Sequence, residues 1–75
     1  MITYTTNKII AENNDWMTKS IAIDELLWAV KSNCWFIAKM KITTMLMKKL
    51  EIDKKQALII AGSMKPDFET FYNLN

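Results

Sequence analysis

Asp24-Glu25-Leu26-Leu27-Trp28-Ala29-Val30-Lys31-Ser32-Asn33-Cys34-Trp35-Phe36-Ile37-Ala38-Lys39-Met40 is the stretch whose reading decides the fold. Leu27, Val30, Cys34 and Ile37 recur at spacings of three and four, one face of a helix, and Lys41 ends the stripe. Asp24 and Glu25 stand in the first turn, where the helix dipole favours negative charge. Trp28 and Trp35 lie seven apart on a neighbouring flank, so the apolar surface is wider than one stripe. Residues 24 to 40 are expected to form the longest helix, either central to the core or touching both core and partner. Cys34, on that stripe, is expected to be a buried, inert thiol.

Downstream, Thr43 or Thr44 can cap a short helix with Leu46 and Leu50 inward. Asp53 is a better cap, opening a helix from Lys54 to Ala61 that stops at Gly62. Pro66-Asp67 punctuates again, and Phe68, Phe71 and Tyr72 then share one face of a last helix. Upstream, Ile2-Thr3-Tyr4-Thr5-Thr6 alternates and is β-branched, which predicts a short strand or extended arm. No second strand-like run is evident, so the arm is expected to pair with its counterpart in a homodimer. Asn13-Asn14-Asp15 reads as a turn. The expectation is mainly α: one domain over residues 1–75, a compact bundle of about four short helices with a short N-terminal strand or arm.

Composition narrows the function. The 75 residues hold ten lysines, no arginine, no histidine, and one each of Cys, Gly and Pro. Without His there is no ready general base, and nothing to activate Cys34. Metal binding lacks its usual ligands. The chain is therefore expected not to be an enzyme, and to take no cofactor, metal or small-molecule substrate. One cysteine cannot form an internal bridge, and a reducing cytosol is the simplest setting. Met1 to Ile10 has no apolar h-region, and the run Leu26 to Ala38 is too short and too interrupted to span a bilayer. A cytoplasmic protein away from membranes is expected. Lysine, isoleucine and asparagine are abundant, as AT-rich coding in low-GC bacteria and their phages would give.

Charge divides along the chain. Residues 31 to 65 carry eight lysines against Glu51 and Asp53 alone, whereas both flanks are acidic. A basic middle suits an acidic surface. Half the chain is apolar, with six Met and three Trp, more than a domain this small readily buries.

Residues 43 to 62, Thr-Thr-Met-Leu-Met-Lys-Lys-Leu-Glu-Ile-Asp-Lys-Lys-Gln-Ala-Leu-Ile-Ile-Ala-Gly, resemble the helix-turn-helix of Cro and repressor-type DNA-binding proteins. Leu46, Leu50, Ile52, Ala57 and Ile60 fall where that motif places inward residues. The tail from Lys65 to Phe71 is similar to the segment leading into the family's next helix. The family's small residue is Met47 here, and its turn glycine is Glu51. The resemblance implies that Asp53 caps a recognition helix whose Lys54, Lys55 and Gln56 approach the major groove, with Lys65 also toward DNA.

The residues themselves favour a different partner. If Ala57 and Ile60 face inward, Leu58 and Ile59 project outward beside Lys54 and Lys55. Large aliphatics suit an apolar pocket better than polar base edges, and the bidentate arginine–guanine contact is missing. Of Trp16, Trp28 and Trp35, one is expected to reach a surface patch. The expected function is a small protein-binding regulator or inhibitor of the kind phages and mobile elements encode. Its partner-binding residues would be Leu58, Ile59, Trp28, Trp35, Lys54 and Lys55. The alternative is a DNA-binding transcriptional regulator using Lys54, Lys55, Gln56 and Lys65.

Overall fold

Two stretches that carry little strand signal supply the central strand and one edge of a sheet. In a computed structural model describing residues 2–5, 7–13 and 17–73, strands β1 (Ile2–Tyr4), β2 (Lys8–Asn13) and β3 (Met17–Ala22) make an antiparallel sheet in that order. Ile9 sits opposite both Tyr4 and Ile21, and Ala11 opposite both Ile2 and Lys19. Ile9, Ala11 and Ile21 are buried, so the alternation needed for a one-sided sheet is present but short. Thr5 fixes the first turn: its hydroxyl donates to Lys8 O at 2.8 Å and accepts from Lys8 N at 2.9 Å. The expected lone arm is thus one strand of an intramolecular sheet. β1 already has its partner in β2. Of the expected turn Asn13-Asn14-Asp15, Asn13 is instead the last residue of β2, and Asn14, Asp15 and Trp16 lie outside the described residues.

Four helices follow: α1 (Ile23–Val30), α2 (Trp35–Leu50), α3 (Lys54–Ser63) and α4 (Lys65–Tyr72). The helix count agrees with the expectation, but the boundaries do not. The expected helix over 24–40 breaks at Lys31, which is left-handed (φ 52°, ψ 41°). Ser32 and Asn33 follow, residues that bond nearby backbone and weaken helix, and Ser32 Oγ accepts from Cys34 N at 3.3 Å. Lys41 Nζ donates to Val30 O at 3.3 Å, satisfying one of the carbonyls left at the end of α1. Because the break comes here, Cys34 stands outside α2 and is exposed, not buried.

The chain then stays helical where a break at Thr43–Thr44 was expected. Neither threonine caps a helix. The Thr43 hydroxyl donates to Lys39 O at 2.8 Å and that of Thr44 to Met40 O at 3.2 Å, each bonding back one turn within α2. Ala38, Ile42, Leu46 and Leu50, spaced at four, form the buried stripe of this continuous helix. It packs on both β3 and α3.

Asp53 does cap α3, accepting from Gln56 N at 2.8 Å. The helix passes through Gly62 to Ser63 instead of stopping at the glycine, and Met64 links it to α4. Phe68 is fully buried, with its ring 5.3 Å from Trp35 and 5.0 Å from Tyr72. Tyr72 Oη donates to Leu27 O at 2.7 Å, tying α4 to α1. One core results, shared by the inner face of the sheet and all four helices.

Left-handed backbone costs an L-residue roughly 1–2 kcal/mol, and glycine escapes most of that. Lys31 is exposed, and its side chain makes no bond or ion pair among the described residues. Lys31→Gly should therefore stabilise the fold by about 0.5–1 kcal/mol after the entropy of the added glycine. Urea unfolding with an unchanged slope would read this directly. A lower midpoint would mean that Lys31 does more than turn the chain.

Candidate functional site

α2 is too apolar for one buried stripe. Opposite Ala38, Ile42, Leu46 and Leu50 stand Phe36, Ile37, Met40, Thr44 and Met47, again at helical spacing, and these face solvent. Phe36 is 74% exposed and Met40 53%. Among the described residues no element covers this second apolar face. Single exposed apolar residues are ordinary, but a contiguous row along one helix is not.

Beside this row lies a groove between α1 and α2, about 430 Å³, lined by Ala29, Met40, Lys41, Thr44 and Met45. Ala29, Met40 and Met45 make its lining mainly apolar, Lys41 lines it too, and Lys48 follows Met45 and Thr44 by three and four residues on the same face of α2. Lys49 pairs with Glu25 of α1 at 3.8 Å. Lys41 and Lys48 make no ion pair among the described residues. A further pair, Lys19–Glu51, joins β3 to the turn between α2 and α3. α2 holds four lysines and no acidic residue, so its field is positive along its length.

The residues singled out in the sequence are scattered. Trp28 is 73% exposed on the outer face of α1. Trp35 is half-buried against Phe68, so it serves the core. On α3, Ala57 and Ile60 do face inward, Ile59 is 65% exposed, and Leu58 is half-buried at the edge. Lys54, Lys55 and Gln56 are exposed in the first turn, with Lys55 one turn before Ile59 on the same face. Lys65 is exposed at the start of α4. Ile59 borders a second cavity of about 360 Å³ with Ile2, Tyr4 and Ser63, on the side of β1. The structure does not gather Trp28, Leu58 and Ile59 into one patch.

Sequence reading put Ile37 on the stripe with Leu27 and Val30 and gave Phe36, Met40 and Met47 no part in binding, whereas all four are exposed. Their signal was the wheel of residues 35–50, and it becomes visible only once that run is taken as one helix.

Titratable chemistry is sparse. Tyr4 donates its hydroxyl proton to Asp67 Oδ2, joining β1 to α4. Partial burial, that hydrogen bond and the neighbouring carboxylate charge together push its pKa well above the usual phenol value. Tyr4 is thereby held as a neutral donor, which suits a structural tie. Among the described residues no group of three or more His, Cys, Asp or Glu is placed to hold a metal, and no helix is long and apolar enough to cross a membrane. No protein-family model, no curated protein and no solved structure matches this chain.

Proposed function

We infer that the chain is a small non-enzymatic regulator or inhibitor that acts by binding another protein through the outward face of α2. One observation carries this reading: Phe36, Ile37, Met40 and Met47 form an exposed apolar row on a helix whose opposite face is already buried. Leaving that row in water forgoes about 25 cal/mol per Å² of apolar area, which a partner would recover. Aromatic and methionine side chains are the types enriched where protein interfaces are buried, and flexible methionines adapt to a partner's contour.

A second reading, duplex DNA binding by α3, rests on the exposed Lys54, Lys55 and Gln56 in the first turn of a capped helix. Ile59 on the same face argues against it, because base edges are polar.

A photo-crosslinking residue placed in turn at Met40, Lys55 and Thr18 separates the two in cells of the source organism. The expected result is a discrete protein adduct from position 40 and none from the sheet position 18. Nucleic-acid adducts from position 55 alone would sink the protein-binding reading. In that case Lys54→Glu with Lys55→Glu should abolish duplex binding, and wild-type affinity should fall about one decade per decade of salt for each phosphate contact.

A further inference from the structure

Resting on the protein-binding reading, the groove between α1 and α2 says what kind of segment fits. We propose that it takes an amphipathic helix with acidic flanks from another protein. That helix would lie along α2 with apolar side chains over Met40 and carboxylates beside Lys41 and Lys48.

Shape is the first argument. The apolar row continues into a shallow, open groove between two helices, wide enough for side chains projecting at helical spacing to lie across Ala29, Met40 and Met45.

Charge is the second argument. The acid nearest the groove, Glu25, is matched by Lys49, and Asp24 lies on the other side of α1, by Leu27 and Asp67. What remains uncompensated at the rim is Lys41 and Lys48. A second copy of this chain fits poorly for the same reason. Antiparallel packing of α2 on α2 sets matching flanks against each other, bringing Lys41 beside the copy's Lys48. Parallel packing offers no acid either, because α2 has none. Like charges across an interface oppose association, and carboxylates at those places favour it.

The test uses the full chain and three fluorescent helical peptides with one leucine seam, flanked by glutamate, glutamine or lysine. Fluorescence anisotropy should show the glutamate peptide binding about tenfold tighter than the glutamine one, with an advantage that shrinks with salt, and little binding of the lysine peptide. Met40→Asp should weaken binding at least tenfold while circular dichroism stays unchanged. Lys48→Glu, which leaves the Lys41–Val30 bond intact, should cut the glutamate preference about threefold.

Other outcomes overturn the proposal in distinguishable ways. Equal binding of all three peptides, still lost in Met40→Asp, refutes the acidic partner and leaves the protein-binding face standing. Binding untouched by Met40→Asp refutes the face as well. Failure of all three peptides to bind refutes the acidic helix, and a dimer in sedimentation that Met40→Asp dissociates, or Met40-dependent binding to phosphatidylserine vesicles, would replace it as occupant.

Discussion

Phe68→Ala is expected to cost ~3–5 kcal/mol, the usual range for emptying a fully buried aromatic site. Phe68 has no exposed surface and stands between Trp35 of α2 and Tyr72 of its own helix. Removing it takes away both ring contacts and leaves a void at the point where α4 meets α2. A domain of 75 residues has on the order of 4–11 kcal/mol of total stability. Much of the population should therefore be unfolded or molten, read as lost near-ultraviolet dichroism and a collapsed urea midpoint. Phe71, half-buried on the next turn, should cost clearly less when truncated. Equal losses at the two positions would contradict the way α4 is seated.

Met45→Pro is the second large effect and bears on where α2 begins. If Thr44 capped a separate helix, position 45 would be its first residue, where proline is welcome. Within a continuous α2, proline there removes one backbone bond and clashes with the carbonyl four residues back, costing about 3 kcal/mol or more. The expected result is a marked fall in melting temperature together with lost helical dichroism. A proline that proved harmless would restore the broken helix.

These two residues also mark what the sequence reveals and what it hides. The face of α4 was legible because Phe68, Phe71 and Tyr72 are aromatic and Pro66 punctuates the chain before them. The Asp53 cap was legible because a short carboxylate before a helical run has one dominant use. The sheet was not. β3, Met-Thr-Lys-Ser-Ile-Ala, offers a single large aliphatic, Ile21, and its pairing with Ile9 is a long-range fact that local pattern does not carry. The α1–α2 break was hidden by a stripe that runs on through Cys34 and Ile37, while a left-handed lysine gives no signal of its own. Placing the break at Thr43–Thr44 then cut the wheel of α2 in two. Phe36, Ile37 and Met40 were read as part of one helix, Met47 as part of another, and the outward row went unseen. Leu58 and Ile59 drew attention in its place, and only Ile59 proves substantially exposed.

The tie from Tyr4 to Asp67 joins residues 63 positions apart. Closing so long a loop carries a chain-entropy cost that short-range helix and strand contacts do not. Local elements can form and pack before that cost is met, which places this contact late on the folding route. An interaction absent from the transition state acts on escape from the native basin more than on entry to it. Tyr4→Phe, which removes this latch between the first strand and the last helix, should therefore speed unfolding in stopped-flow measurements and leave the folding rate nearly unchanged.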